Sequence, residues 1–394
     1  MSGVLSNKTE DCRSTQNFWD ALPRPIIGLA PMDGVGDQPF RTIQKKYGNP
    51  DIIYTEFTSV EALCYSDWQS MLNLLYDESQ RPVIAQIYGR TPHHYRQVAV
   101  MLCELGFDGI DINMGCPAKS VANGGSGAGL IRTPDLAQQI IQAVKDGVED
   151  WRNGLSPADC PNISAAFVKH VATIHNQLPA AYQERRAIPV SVKTRIGYEE
   201  PVVDAWIPNL LEMEPVAICV HGRTLRQAYS GQADWDQIGR AAELGKGTNT
   251  LILGNGDITS QADAQTRVTT YGVDGVLIGR ASMGNPFIFH KATATPENRV
   301  SGSLRSQIAL EHAQLFEQTF LPYGRYRFIP MRKHLAWYIR EIRGANYLRA
   351  KLMQTTSPRE VEAILRQHSV LTDGVYQSLL PDNLTRDNLT LMPA

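Results

Sequence analysis

One thiol in this chain stands where a thiol can do chemistry. Cys116 lies between Gly115 and Pro117, two residues that disfavour regular structure, directly after a run in which Ile110 and Ile112 are interleaved with Asp111 and Asn113. A lone cysteine is ordinarily a small buried hydrophobe, and Cys103 and Cys219, inside apolar or periodic segments, fit that description. Cys116 instead falls where a buried strand gives way to a loop, the setting in which a rigid scaffold holds reactive groups. With an ordinary pKa of about 8.5, a thiol keeps its proton at neutral pH and can donate it as a general acid. The run that follows, with Gly124, Gly125, Gly127 and Gly129, has the freedom to bring backbone N–H groups against a ligand.

Other polar residues fall at corresponding places in other apolar runs. Pro31, Met32 and Asp33 follow the first such run, and Gln86 nears the end of another. Asn113 precedes the thiol, Lys193 and Arg195 sit in PVSVKTR, and His221 closes VAICVHG. Asn255, Gly256 and Asp257 follow TLIL, and Gly279 and Arg280 end DGVLIGR. A single Lys or His in such a run can be a satisfied structural residue, because an unpaired buried charge is costly. Seven runs delivering polar groups to one rim is not a packing pattern. Glycines with an arginine suit a phosphate. A lysine beside a large polar ring can stabilise negative charge on it.

Something must bring these residues together. Eight short apolar runs recur, at 25–30, 51–56, 82–88, 108–114, 189–195, 216–222, 250–256 and 274–280, most of them rich in Val and Ile. Strands buried on both faces read this way, and amphipathic stretches separate them. Alternating strand and helix implies a parallel sheet, and eight such units over about 270 residues fit the (β/α)8 TIM barrel of the α/β class. In that barrel the site lies at the C-terminal ends of the strands, and the loops after strands seven and eight often bind phosphate. The polar residues above occupy those ends.

The expected organisation is a disordered lead-in over 1–22, a catalytic barrel over 23–290, a polar linker over 291–303 and a small all-α domain over 304–394. The gap from Asn113 to Pro189 is far longer than any other between strands. It is read as an insertion at about 148–186, with DWRNGLSPADCPN as loop and the next stretch helical, serving as tolerated surface decoration.

Composition narrows the class. The 394 residues suffice for a large domain and a smaller one. The net charge of −2 excludes a chain-wide polycation, so any nucleic-acid affinity must come from a local patch. Six cysteines form no C-x-x-C pair, and none neighbours a histidine at ligand spacing. No metal site or disulfide framework is expected, and a reducing cytoplasm fits. No run approaches the ~20 apolar residues of a membrane span, and the polar N-terminus lacks the apolar core of a secretory signal. A cytoplasmic monomer is expected, in which the two N-L-T sequons of the tail mean nothing.

The local patch exists. Residues 322–351 carry Arg325, Arg327, Arg332, Lys333, Arg340, Arg343, Arg349 and Lys351 against one acid, Glu341. Tyr323, Tyr326, Phe328, Trp337, Tyr338 and Tyr347 are interleaved. On one helix Lys333, Trp337 and Arg340 share a face, while Met331, Leu335, Tyr338 and Ile342 form the core stripe. Cations with aromatics suit phosphate binding and base stacking; a solvated basic face is the plainer reading.

The stretches APMDGVGDQPFR, QIYG, DINMGCPAKSVANGGSGAGLIRTP, VSVKTRIGY, HGRTLRQAYSGQADW, GNGDI and DGVLIGRASMGNPFIF resemble the tRNA-dihydrouridine synthase family over nearly the whole barrel. The resemblance implies an FMN-binding barrel followed by a helical RNA-binding domain, with tRNA as substrate and NADPH as the usual reductant. It implies that Pro31, Met32 and Asp33 line the flavin and that Gln86, Lys193 and His221 contact the isoalloxazine ring and its surroundings. Asn255, Gly256, Asp257, Gly279 and Arg280 would hold the ribityl phosphate. Hydride would pass from flavin N5 to uracil C6, and Cys116 would protonate C5 as general acid. Asn113 and Arg195 in the barrel, and Lys333, Trp337 and Arg340 in the helical region, are the expected substrate contacts. Two other functions share parts of this pattern: a flavin dehydrogenase of a free pyrimidine or similar small molecule, and a non-catalytic RNA-binding protein that retains a barrel. The basic helical region argues against the first, and intact Cys116, Lys193 and His221 argue against the second.

Overall fold

The computed structural model describes residues 17–65, 68–228, 230–290, 301–324, 326–340 and 344–368. The described residues include nine strands: β1 (Ile26–Leu29), β2 (Ile53–Tyr54), β3 (Thr58–Ser59), β4 (Val83–Tyr88), β5 (Gly109–Met114), β6 (Val190–Gly197), β7 (Ala217–Thr224), β8 (Leu251–Asn255) and β9 (Gly275–Ile278). All pair in parallel. The ring closes where β1 meets β9 (Ile26 opposite Gly275) and β2 meets β4 (Ile53 opposite Val83), while β3 only extends the edge of β4. This is the expected (β/α)8 barrel: the eight strands that close it coincide with the eight apolar runs, and β3 lies just past the second run.

Side-chain alternation divides each strand between two environments. Ile110 and Ile112 of β5 belong to the main cluster between strands and helices. The interior is apolar at its lower end, where Trp19 packs with Ile26, Ile84, Cys219, Leu253 and Leu277. Trp19 corrects the reading of 1–22 as an unstructured lead-in: it is 1% exposed, on a helical turn (Phe18–Ala21) capped by Asn17. The rest of that lead-in, 1–16, lies outside the described residues.

The main helices of the barrel layer are α1 (Gln38–Gly48), α2 (Pro92–Glu104), α3 (Pro134–Arg152), α4 (Ala165–His175), α5 (Val203–Leu211), α6 (Trp235–Gly245) and α7 (Gln261–Tyr271). The long gap is thus partly helix. Asp150, Trp151 and Arg152, expected as loop, form the last turn of α3, because Val148 and Trp151 bury on its inner face. The extra segment begins only after Arg152. It packs on α2: Phe167 and Val171 are fully buried, and Asn162 donates its backbone N–H to Gln97 Oε1 at 2.8 Å.

Four further helices follow: α8 (Gly302–Phe320), α9 (Ile329–Tyr338), α10 (Ala345–Leu352) and α11 (Pro358–Gln367). Their core, with Ile308, Phe316, Met331, Leu335, Tyr338, Leu352 and Val361, includes Ile43 from barrel helix α1. Lys46 reaches Glu311 at 2.6 Å, Tyr47 donates to the same carboxylate at 2.6 Å, and Phe40 stacks near His312 and His334. The helical region is therefore seated on the first barrel helix. Leu335 is completely buried there, so Leu335→Ala should cost about 2–5 kcal/mol through lost transfer energy and a cavity; denaturant unfolding followed by circular dichroism reads this directly. Of the linker expected over 291–303, Ser301 caps α8 and Gly302 and Ser303 open it, because the Ser301 side chain accepts from the Leu304 N–H; residues 291–300, the tail with its sequons at 369–394, Arg325, Glu341, Ile342 and Arg343 lie outside the described residues.

Candidate active site

The C-terminal ends of the strands surround a cavity of about 1470 Å³. Pro31, Met32, Asp33, Gln86, Asn113, Cys116, Lys193, Arg195, His221, Asn255, Gly256, Asp257, Gly279 and Arg280 all line it. The barrel thus brings together every site residue expected of it. The volume exceeds the roughly 300–1,000 Å³ of a pocket for one small ligand, leaving room for two ring systems.

Cys116 is 8% exposed. Asn113 builds its loop: Asn113 Oδ1 accepts from the N–H groups of Gly115 at 3.0 Å and Cys116 at 2.8 Å. Arg195 clamps the other side, donating from Nε to Gly115 O at 2.6 Å and from Nη1 to Thr224 O at 3.1 Å. Burial pushes the thiol above its ordinary pKa, against the opposing pull of the Ala118 N–H, so the proton stays on sulfur at neutral pH. The glycine run acts through packing. A Cβ on Gly127 would sit 3.1 Å from Cys116 Cβ, and one on Gly129 would sit 2.6 Å from Ala122 O. None of the four glycines lines the cavity, so the expectation that they approach a ligand is corrected: Gly127 and Gly129 allow the thiol loop to fold down on itself, while a Cβ on Gly125 would meet nothing within 4 Å.

Lys193 stands beside Asn113 in register and donates to Asn255 Oδ1 at 3.1 Å, while Asn255 Nδ2 donates to Leu277 O at 2.7 Å. The Asn255 amide therefore aims the ammonium. Burial pulls Lys193 below its ordinary value. His221 is pulled down to about 2, first by burial and then by Lys193, Arg195, Arg223 and Arg280, so its imidazole is neutral in an electropositive wall.

The rim after β8 and β9 is tight. Gly256 has φ +128°. Asp257 accepts from Arg223 at 3.0 and 2.7 Å, from Arg280 at 2.7 Å and from the Ala233 N–H at 2.7 Å. Its carboxylate is thus committed to orienting Arg280, which stands 57% exposed at the cavity edge.

The helical region touches this rim. Lys333 donates its ammonium to Gly34 O, in the loop after β1 that carries Met32 and Asp33. That loop covers an acidic group the sequence reading missed. Burial raises Asp37 to about 6 and Glu56 to about 7, with Arg41 as the compensating cation. Trp337 is half-buried against the barrel core, with its ring 4.9 Å from that of His334, a position that docks the helix. Arg340 does not share the helical face of Lys333. Helix α9 ends at Tyr338, because Ile339 turns away (φ −86°, ψ 68°) to bury completely; Arg340 is exposed beyond it. Asp111 and Ser191 were not read as part of the site, although Asp111 is an acid at an inward position of an apolar strand and could have been flagged by that alone.

Known proteins match at the level of sequence. "Probable tRNA-dihydrouridine synthase" of Staphylococcus aureus (strain COL) is 34% identical over 365 residues, covering 91% of this chain and 97% of its own. "Probable tRNA-dihydrouridine synthase 2" of Bacillus subtilis (strain 168) is 34% identical over 361 residues, covering 89% and 96%. Among solved structures, morphinone reductase in complex with tetrahydroNAD superposes with a TM-score of 0.39 at 12% identity, over 68% of this chain and 85% of that one, a likeness too distant to carry an argument. The family model described as "Dihydrouridine synthase (Dus)" matches residues 28–152 and 161–372, and by that match the chain belongs to the dihydrouridine synthase family.

Proposed function

We propose that the chain reduces the C5–C6 double bond of uridine in tRNA, with FMN as resident cofactor and NADPH as reductant, and that it does so as a cytoplasmic monomer. The observation that carries the reading is a protonated thiol, Cys116, held over the same cavity as Lys193, neutral His221 and Arg280. The cavity fits a flavin on its own chemistry: an electropositive wall, a rim arginine held out by Asp257, and a glycine at Gly256 where a Cβ would strike Ala233 Cβ at 2.7 Å. When bound and reduced, FMN supplies a hydride to uracil C6.

The chain's residues do the rest. Pro31, Met32 and Asp33 wall the flavin from the β1 loop, and Gln86, Lys193 and His221 face its ring. The Arg280 guanidinium and the backbone of Asn255, Gly256, Asp257 and Gly279 hold its phosphate. Cys116 gives a proton to C5 as charge develops there, and Asn113 and Arg195 keep the thiol loop in place beside the base. Purification should yield flavin-loaded protein, and Lys193→Ala or Arg280→Ala should lower the flavin-to-protein absorbance ratio severalfold; wild-type ratios in both variants would remove these residues from flavin binding.

A uracil in folded RNA must be unstacked and turned into such a cavity, at a cost of a few kcal/mol. Exposed cations of the helical region offset that cost. Arg340 is the cleanest probe, since Lys333 rests on the rim and Trp337 sits in the seam. Lys333 meets a phosphate only at the cavity mouth. Arg340→Ala should weaken tRNA binding and flatten the dependence of log affinity on log salt by roughly one unit, as read by filter binding across a salt series. The same slope in both proteins would take Arg340 off the RNA path. No helix among the described residues is long and apolar enough to cross a membrane.

A further inference from the structure

An unbroken line of buried hydrogen bonds runs along the barrel interior to the thiol loop. Ser191 Oγ donates to Asp111 Oδ1 at 2.6 Å. Gln86 Nε2 donates to Asp111 Oδ2 at 2.7 Å. Asn113 Nδ2 donates to Gln86 Oε1 at 2.9 Å, and Asn113 Oδ1 accepts the N–H groups of Gly115 and Cys116. Asp111 and Gln86 are 0% exposed, Ser191 2% and Asn113 7%. We infer that Asp111 is a positioning residue: its carboxylate fixes the direction of the Gln86 and Asn113 amides and, through them, the conformation of the Cys116 loop.

The reason is directional. An amide can be satisfied either way round, since it carries donors at one end and acceptors at the other. The N–H groups of Gly115 and Cys116 only donate and so favour the Asn113 oxygen at that end of the line. An ionised carboxylate only accepts. Placed at the head of the line, it forces Gln86 to present its NH2 to Asp111 and its oxygen to Asn113. Asn113 must then present its NH2 to Gln86 and its oxygen to the loop. In a low-dielectric interior such a network is strong when complete and costly when one member is reversed. The ionised form is supported by the two donors it receives and by Lys193 nearby, although burial raises it to about 6; Tyr54 and Cys219 are the other titratable groups facing it from β2 and β7.

The inference rests on the reading of Cys116 as proton donor, but its test does not depend on that reading alone. Asp111→Asn is isosteric and replaces an acceptor-only group with one that can also donate, so the amide order is held from the loop end alone. In the purified, flavin-loaded protein, hydrogen exchange at Gly115 and Cys116, measured by peptide mass spectrometry, should accelerate about tenfold. The rate at which tRNA reoxidises the reduced flavin should fall by ~10- to 100-fold, since misplacement by about 1 Å can cost 10². KM for tRNA should hold. The double variant D111N/N113D reverses the order while keeping every group paired. A carboxylate then accepts from the two loop N–H groups and from Gln86, and Asn at 111 donates to the turned Gln86. Exchange at Gly115 and Cys116 should return to the wild-type rate, a rescue that a merely space-filling role for Asp111 does not give. If Asp111→Asn fails to fold, the double variant compared with wild type carries the test by itself. Unchanged exchange and reoxidation in Asp111→Asn, or no return of protection in the double variant, overturns the inference. A wild-type protein that holds flavin and a protected loop but forms no dihydrouridine overturns the functional reading instead and leaves the relay standing.

Discussion

Cys116→Ala should retain its flavin, be reduced by NADPH at the wild-type rate and lose 10²- to 10⁴-fold in dihydrouridine formation, the range that a positioned general acid contributes. The loss falls on one step because the thiol is built for one task. Burial keeps it protonated, and the Ala118 N–H, Arg195 and Lys193 pull the other way without prevailing. Its loop is anchored from two strands at Gly115 and Cys116, by Asn113 from β5 and by Arg195 from β6. The side chain itself fills little space, so removal leaves the loop standing. Single-turnover mixing of the reduced variant with tRNA isolates the step. Reoxidation as fast as wild type would assign the proton to another group, and loss of flavin with the thiol would assign Cys116 to the cofactor's binding instead.

Gly256→Val should yield protein with little or no flavin and a lower melting temperature. At φ +128° an L side chain is strained, by about 1–3 kcal/mol, and the new Cβ would lie 2.7 Å from Ala233 Cβ and 3.1 Å from His221 Cδ2. Overpacking of that kind adds about 1–3 kcal/mol. The backbone must move, and Asp257 is the next residue, itself at φ +54°. Its displacement releases Arg280 from the cavity edge and Arg223 from its buried pairing at once. The absorbance spectrum and a thermal melt suffice. Wild-type flavin content and melting temperature would mean that the loop after β8 is looser than its contacts imply.

The barrel was legible because each strand is buried on both faces and so spells out an apolar run. The site was legible because polar side chains gather at the C-terminal ends of those runs. What stayed hidden is set by contacts that no local pattern carries. No local pattern shows that the Arg195 guanidinium also meets Gly115 O, or that the Asp257 carboxylate is held by Arg223, Arg280 and the Ala233 N–H. Helical periodicity put Lys333 and Arg340 on one face. The chain instead leaves the helix at Ile339 to bury that side chain, and Lys333 crosses to Gly34 on a loop from the opposite end of the sequence. Asp111 was visible in the alternation of β5, but its importance lies in Gln86 and Ser191, which reach it from neighbouring strands.

The central claim is that this cavity reduces a uracil presented by tRNA. Purified protein, NADPH and tRNA lacking dihydrouridine can be incubated, the tRNA digested to nucleosides and the digest analysed by mass spectrometry, with free uridine treated in parallel. Dihydrouridine should appear in the tRNA digest, absent when NADPH is omitted, and free uridine should remain unreduced. Reduction of free uridine with none in tRNA would contradict the account, and so would a flavin that NADPH reduces but tRNA never reoxidises.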